Sequence, residues 1–479
     1  MKIRELIKDI ETVRVIGDLD AEISSISADS KKVVENGLFI CLKGENCDGH
    51  EYVKEAVFYG ARAILCEKEC DTTAIQIIVK NARKVFSKIC SNFYGNPEKR
   101  LKIVGVCGTN GKTTVTFMIA HVLNSYGFNC GIVGTLGIRY NEVIKNVDLT
   151  TPDPTDLFSA LKEMADSGIT VVIMEVSAHA SALFKTDAID FYLGIFTNFT
   201  EDHLDYFKTM ENYKNAKLRF FNSSRCKYLI ANSDDEVGRQ IINNNEKVFS
   251  FGLENPADAF AVKIKESKDG ESFFINIFDT VAEVKLKIFG KFNVCNALAS
   301  LEACVILGIP ADFAVSSINS FNGVDGRLEK IDGNDFSVFI DYAHTPDGLL
   351  KSILAVKKLT DKRLICVFGC GGNRDSIKRK EMGKISANNA DFTIITSDNP
   401  RFEEPMSIIK SIEDGVIENG GDFVSIEDRA LAIEYALKLA KKGDAVLIAG
   451  KGCEKYQEIL GVKHPFDDRE KVNEILGVK

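Results

Sequence analysis

The stretch from Leu101 to Ser125 constrains this chain more than any other. LKIVGVC is an unbroken apolar run, the pattern of a strand buried on both faces. Gly108-Thr109-Asn110-Gly111-Lys112-Thr113-Thr114 follows at once, and then a helical pattern in which Val115, Met118, Ile119, Val122 and Leu123 share one face. A strand, a glycine-rich turn and an amphipathic helix in that order call for a parallel sheet with helices laid against it. Further buried-type runs repeat the scheme: TVVIMEVS, IDFYLGIFTN and CKYLIAN, then FSVFIDYAH, RLICVFGC, DFTIITSD and DAVLIAG. Helical segments lie between them, such as 430–440, with Ala432, Tyr435, Ala436, Leu439 and Ala440 on one side.

A chain of 479 residues is too long for one compact core and suggests about three domains. Turn clusters at Tyr94-Gly95-Asn96-Pro97 and Gly323-Val324-Asp325-Gly326 supply the boundaries. The expected fold is α/β in three domains. Residues 1–97 form a small α/β domain with the short strands GLFICL and ARAILC. Residues 98–325 carry a doubly wound, mostly parallel sheet with the glycine-rich loop. Residues 326–479 form a Rossmann-like α/β domain. The 60 Lys+Arg against 69 Asp+Glu leave net −9, so no basic footprint draws the chain to nucleic acid or an anionic membrane. No apolar run reaches the roughly 18 residues of a membrane span, and MKIRELIKDI has charges where a signal peptide is apolar, which points to the cytoplasm. The 13 cysteines lack paired zinc-ligand spacing and read as reduced core thiols.

The glycine-rich loop reads as a phosphate cradle. Its backbone N–H groups and the following helix N-terminus can face phosphate oxygens, Lys112 adds a point charge, and a Thr hydroxyl can ligate Mg²⁺. A strict P-loop would have Gly at 106, where Val106 stands. A second glycine-rich turn, Gly369-Cys370-Gly371-Gly372-Asn373-Arg374, lacks the third Gly of a dinucleotide fingerprint and instead presents Arg374 to an anion. Glu175 ends one strand, with Ser177 and His179 after it, and the next strand ends in Asn198-Phe199-Thr200-Glu201-Asp202-His203-Leu204-Asp205. These polar ends are either solvated turns with helix caps or a metal site beside the phosphate loop. His50, His179, His203 and His344 all sit in polar, turn-flanked segments, which reads as more than packing.

GTNGKTT, MEVSAH, TNFTEDHLDY with NYKNAKLRFF, KFNVCNALAS, GVDGRLE, DYAHTPDGL, GCGGNRD, SDNPRFEEP and AGKGCEKYQ stand in the order seen in the Mur ligase family. With ADSKKVVENGLF and CDGHEY, the resemblance spans essentially the whole chain. It is strongest to the branch that adds the third amino acid of the peptidoglycan stem peptide. The resemblance implies an ATP- and Mg²⁺-dependent amide ligase of cell wall biogenesis. Its substrate would be UDP-N-acetylmuramoyl-L-alanyl-D-glutamate, activated as an acyl phosphate and then attacked by an amine. By resemblance, Gly108 to Thr114 with Asn296, Arg327 and Asp341 hold ATP. Lys112, Glu175, His203 and Lys217 carry the catalysis, and Thr113, Glu175, His203 and Lys217 the metal. Ser30, Thr150, Thr151, Ser177 and Lys185 contact the UDP-peptide. Lys217 matches a lysine that the family carries as a carbamate, which turns an ammonium into a long-armed carboxylate. On its own it would read as a helix-surface lysine. The sequence departs from the family at Lys185 (usually Arg), Leu149 (often Asn) and Cys453 (often His or Asn).

The family divides by the amino acid it adds, and here the discriminating motif is Asp398-Asn399-Pro400-Arg401. The planar fork of Arg401 suits the second carboxylate of meso-diaminopimelate. L-Lysine would leave that Arg unpaired, a mismatch worth roughly 10⁴-fold. Arg374, Gly450 and Glu454 match the other contacts to this amino acid, with Glu454 suited to its distal ammonium. The expected protein is a monomer with these small-molecule substrates. The alternatives are the same reaction with L-lysine, or a ligase resembling folylpolyglutamate synthetase.

Overall fold

The computed structural model describes residues 1–44, 47–222, 224–278, 280–333 and 335–477. The chain forms two compact units. The first comprises Met1–Cys107, Gly127–Gly194 and Ala216–Leu229; the second comprises Gly108–Tyr126, Ile195–Asn215 and Ile230–Lys479.

The first unit opens with a five-stranded sheet in the order Arg14–Ile16, Ile75–Ile78, Ala61–Cys66, Gly37–Ile40, Ser25–Ser27. All its pairings are parallel except that of Arg14–Ile16. Phe39, Ile64, Cys66, Val53 and Ala56 fill its core. A second sheet places Lys102–Cys107 beside Val171–Glu175, which in turn pairs with Cys130–Gly134, both ladders parallel. The hairpin Gly137–Tyr140 and Val143–Lys145 extends this edge antiparallel. Phe191–Phe196 lies on the other side of Lys102–Cys107, with Cys226–Asn232 beyond it; both strands continue into the second unit.

In the second unit Val248–Gly252 pairs parallel with Ala259–Ser267, and Gly270–Ile277 and Thr280–Leu286 complete an antiparallel ribbon. These strands carry no sustained apolar run, so their sequence gives no strand signal of the doubly covered kind. The helix Lys112–Ser125 buries all five residues of the expected face. The last sheet has six strands, ordered Glu329–Asp332, Ser337–Asp341, Ala445–Ala449, Leu364–Phe368, Phe392–Ile395, Phe423–Ser425. It is parallel throughout except at Glu329–Asp332. Helices cover both of its faces, giving one core around Leu349, Met382 and Ile409 and another around Ile433, Ala436 and Leu437. The α/β class and the doubly wound, mostly parallel sheets are thus as expected.

Two local expectations need correction. In the helix Arg429–Leu439 the buried stripe is Ala432, Ile433, Ala436 and Leu437, while Tyr435 is exposed, because the packed face is rotated toward Ile433. Nine of the 13 cysteines are buried, but Cys47 is exposed and Cys70, Cys295 and Cys453 are half-buried. Among the described residues no helix is long and apolar enough to cross a membrane.

Candidate active site

The glycine-rich loop is held by the segment that follows Phe196. Thr109 N–H donates to the Asn198 carbonyl (2.9 Å), Asn110 N–H to Asn198 Oδ1 (2.9 Å), and the Thr197 hydroxyl to the Asn110 carbonyl (2.6 Å). Tyr213 is buried, its hydroxyl 3.3 Å from Thr109 Oγ1. Gly111 takes φ +85° just before the helix, and a Cβ there would come 2.5 Å from Asn296 Oδ1. Only glycine meets both conditions. The Lys112 ammonium donates to the Gly108 and Thr109 carbonyls (2.9 and 2.8 Å), so its charge lies over the curled loop. Thr113 and Thr114 are buried in the first helical turn.

Arg327 reaches this loop. Its Nη2 donates to Thr113 Oγ1 (3.0 Å) and its guanidinium stacks 4.3 Å over the Tyr342 ring. Its Nε is buried and has no hydrogen-bond partner among the described residues. A half-buried cation whose buried Nε is an unspent donor beside a glycine-rich loop is suited to an anion. Asn110 Nδ2 also donates to Asp347 (2.9 Å). Asp341 plays a supporting part. Its carboxylate accepts from Leu328 N–H, Ala343 N–H and the Ser352 hydroxyl, and burial pushes it up against the pull of Arg327. It thereby anchors the turn that carries Arg327.

His203 takes a left-handed φ of +56°, caps a short helix, and has its ring Nε2 3.3 Å from Asp202 Oδ2. Burial would raise the Asp202 carboxyl, but the charges of His203, His344 and Lys378 outweigh it and hold the group well below the usual carboxylate range. Asp202 therefore stays ionised beside His203. His50 belongs to no such cluster. Its Nδ1 meets Asp48 Oδ1 (2.5 Å) and its Nε2 accepts the Glu67 N–H (2.9 Å), so it is a packing histidine.

In the first unit, Glu175 is buried with Oε1 accepting the Thr135 N–H (3.0 Å) and Oε2 the Thr135 hydroxyl (3.1 Å). Thr150 joins through its hydroxyl at 3.1 Å from Thr135 Oγ1. Thr151 Oγ1 donates to the Glu175 carbonyl (2.8 Å) and accepts the Ser177 N–H (3.0 Å). Lys185 is buried, within reach of the Thr151 carbonyl (3.4 Å) and paired with Asp153 (2.8 Å). Thr150, Thr151, Ser177 and Lys185 are thus gathered around Glu175. The Ser30 hydroxyl donates to Glu55. Lys217 is 1% exposed, which removes the helix-surface reading.

The four residues expected around Mg²⁺ divide two and two: Glu175 and Lys217 in the first unit, Thr113 and His203 in the second. Among the described residues no three His, Cys, Asp or Glu side chains are grouped to hold a metal. The donor chemistry of the set still fits a hard cation, with a hydroxyl, a buried carboxylate and an imidazole.

The residues expected to contact the amino acid all lie in the second unit. Asn399 Nδ2 donates to Glu454 Oε2 (2.9 Å), and Lys451 Nζ donates to Asn399 Oδ1 (2.9 Å). Arg401, at φ +52°, uses Nε on Glu458 (3.1 Å) and Nη1 on the Gly372 carbonyl (2.8 Å). Its Nη2 edge has no partner among the described residues. Pro400 closes the turn, its carbonyl accepting the Glu403 N–H (3.0 Å). Asp398 is buried, and a Cβ at Gly450 would come 2.6 Å from its Oδ2. Arg374 is half exposed, 3.8 Å from Asp205. Lys451, Glu458 and Tyr342 were not anticipated. Lys451 could have been singled out from its place between Gly450 and Glu454, whereas nothing in the sequence ties Glu458 to Arg401.

A glycine-rich cradle at a strand end, reached by a half-buried arginine and accompanied by a separate polar cluster, defines a nucleotide-using α/β enzyme. "Mur ligase family, catalytic domain" matches residues 22–98, "Mur ligase middle domain" residues 106–304, and "Mur ligase, glutamate ligase domain" residues 326–452. The chain is 41% identical over 488 residues to the UDP-N-acetylmuramoyl-L-alanyl-D-glutamate--2,6-diaminopimelate ligase of Alkaliphilus oremlandii, with 99% of each chain covered. It is 40% identical over 482 residues to the protein of that name from Clostridioides difficile, again with 99% of each covered. A solved structure of a ligase of that name superposes with a TM-score of 0.71 at 30% identity, covering 100% of this chain and 99% of the other. The chain belongs to the Mur ligase family, whose members are ATP-dependent ligases that form ADP and use Mg²⁺.

Proposed function

We propose that the chain joins meso-2,6-diaminopimelate to UDP-N-acetylmuramoyl-L-alanyl-D-glutamate, with ATP cleaved to ADP and phosphate, as a monomer acting in the cytoplasm on peptidoglycan precursors. The observation that carries this reading is that Arg401 keeps its Nη2 edge without a partner among the described residues while Asn399, two residues earlier, is hydrogen-bonded to Glu454. An amino acid whose distal end bears both a carboxylate and an ammonium satisfies the cation and the acid together. L-Lysine satisfies only the acid. The names of the relatives agree with this reading.

In the first step a carboxylate oxygen of the D-glutamyl residue attacks the γ-phosphorus and ADP leaves. In the second the amine attacks the acyl carbon, phosphate leaves and the amine gives up a proton. The glycine-rich loop with Lys112, Arg327 and Asn296 would hold the nucleotide phosphates and base, Arg327 spending its remaining donor there. Asp341 fixes the turn bearing Arg327. Thr113, Glu175, His203 and Lys217, the last as a carbamate, would hold Mg²⁺, which when bound neutralises charge on the transferring phosphoryl group. Thr150, Thr151, Ser177 and Lys185 offer hydroxyls and a charge to the UDP-peptide, with Ser30 contributing from the N-terminal sheet. Arg374, Asp398, Asn399, Pro400, Arg401, Gly450 and Glu454 form the amino-acid pocket. The division into 1–97, 98–325 and 326–479 assigns these tasks to three domains, and the three matched family segments support it.

The test is phosphate release with the UDP-dipeptide and, in turn, meso-diaminopimelate, L-lysine and L-ornithine. Release that needs both the dipeptide and diaminopimelate is the expected result. Equal or faster release with L-lysine, or release with a folate acceptor and glutamate, would overturn it.

A further inference from the structure

We propose that Lys451 positions the amino-acid pocket, its buried ammonium holding Asn399 and Glu454 in place and balancing Asp398. The inference rests on the amino-acid site proposed above and adds to it a residue with no assigned role.

Lys451 follows the strand Ala445–Ala449 and has no exposed surface. An ammonium taken out of water needs compensating partners. Its Nζ donates to Asn399 Oδ1 at 2.9 Å and lies 3.3 Å from Glu454 Oε2. Asn399 Oδ1 also accepts the Glu458 N–H (2.9 Å), and Asn399 Nδ2 donates to the same Glu454 oxygen (2.9 Å). Lys451 and the Glu458 N–H together settle the orientation of the Asn399 amide. With Oδ1 drawn to the ammonium, Nδ2 must face Glu454.

The charges around Lys451 alternate in sign. Asp468 pairs with Arg429 (2.7 Å), both fully buried, and Arg429 donates to the Ala449 carbonyl (3.0 Å) just before the pocket loop. Arg429 and Lys451 both face Asp398, and Lys451 also faces Glu454. Three acids thus share two buried cations. Burial would raise the Asp398 carboxyl, but Lys451 and Arg429 outweigh it and hold the group low, with His344 also facing it. Tyr342 also lies against Glu454, its hydroxyl 3.4 Å from Oε1, and Arg429 and Tyr456 face the same carboxylate. With Arg429 paired to Asp468, Lys451 is the buried cation within salt-bridge distance of Glu454 while also facing Asp398.

Lys451→Met keeps the length of the side chain and removes the charge. The full-length enzyme and this variant are compared for the KM of each amino acid in the panel, for kcat, and for the pH dependence of kcat/KM. Acyl phosphate formation is followed without amine by isotope exchange. The expected result is a KM for the preferred amino acid raised about 100-fold, a much smaller change in kcat, and an acidic limb of kcat/KM displaced to higher pH as Asp398, no longer held low by the Lys451 charge, takes up a proton. Lys451→Arg should recover part of the loss. An unchanged KM and pH profile would overturn the proposal, and so would equal loss of acyl phosphate formation and amino-acid use in a variant with wild-type circular dichroism. Should Lys451→Met fail to fold, Lys451→Gln, which keeps a donor and removes the charge, carries the test. A Gln variant that leaves the KM and the acidic limb where lysine puts them, while Arg401→Ala moves the KM, would equally overturn the proposal. If the wild-type enzyme rejects diaminopimelate, the proposed substrate falls, yet the same comparison with the amino acid it accepts still decides the role of Lys451.

Discussion

Lys217 carries an amine that water scarcely reaches, at 1% exposure on the helix Met210–Leu218. Burying an ammonium is expensive, and a carbamate bound to a cation removes that expense. Lys217→Ala should abolish turnover, and a short-chain carboxylic acid should restore part of it by standing in for the missing carboxylate. No rescue by any acid, with an unmodified lysine mass in gently handled protein, would count against a carbamate. Under the proposed function Arg401 makes the complementary case, a residue for choice rather than for chemistry. Arg401→Ala should raise the KM for diaminopimelate by about 2 to 5 kcal/mol of lost charged pairing while acyl phosphate still forms without amine. Equal loss of both steps would make Arg401 structural. Both residues could be singled out in the sequence because motif words surround them. Their settings could not. The burial of Lys217 is a packing fact, and Glu458, which grips Arg401, comes from the antiparallel hairpin of Tyr456–Ile459 and Val462–Pro465, 57 residues further on.

At the scale of elements, the runs that read most clearly were strands covered on both faces. Ala445–Ala449, Leu364–Phe368 and Cys226–Asn232 fall inside or on the expected segments because a doubly covered strand must be apolar at every position. The ribbon Ala259–Ser267, Gly270–Ile277 and Thr280–Leu286 alternates exposed and buried residues with interruptions, and that weaker signal went unread. Elements joined by a buried ion pair were equally hidden, since Arg429 and Asp468 lie 39 residues apart on two helices with ordinary caps. That pair gives a sharp test. Asp468→Ala leaves a fully buried guanidinium unmatched, and should lower the unfolding free energy of the second unit by about 3 to 5 kcal/mol in chemical denaturation. Adding Arg429→Met should recover most of the loss, because two apolar side chains in place of a buried pair cost little. Single and double variants of equal stability would show that the pair holds nothing together.

For the whole molecule, the order of motifs along the chain was plain while the spatial grouping was not, because residues of each unit come from several separate stretches. The way the chain's stability varies with pH likewise depends on tertiary surroundings. Glu271 lies at the start of Gly270–Ile277 and is 2% exposed. Its Oε1 accepts the N–H of Gly290 (2.7 Å), the residue before the helix that bears Asn296, while its Oε2 is buried and has no partner among the described residues. Burial, with Glu266 adding to it, pushes the carboxyl up to about 7 from 4.5, against the Gly290 hydrogen bond and Lys358. Below about pH 4.5 the group is protonated in both folded and unfolded chains and leaves stability unaffected. Between about 4.5 and 7 the unfolded chain releases the proton and the folded one keeps it, so stability falls as pH rises. Above about 7 the full penalty stands, roughly 3 kcal/mol at most. Glu271→Gln keeps the acceptor for Gly290 and abolishes the titration. The variant should therefore gain on the wild type progressively from about pH 4.5 to 7 and hold that advantage above it, as read by denaturant unfolding at fixed ionic strength. A difference that stays constant across this range would mean that Glu271 titrates alike in the folded and unfolded chains.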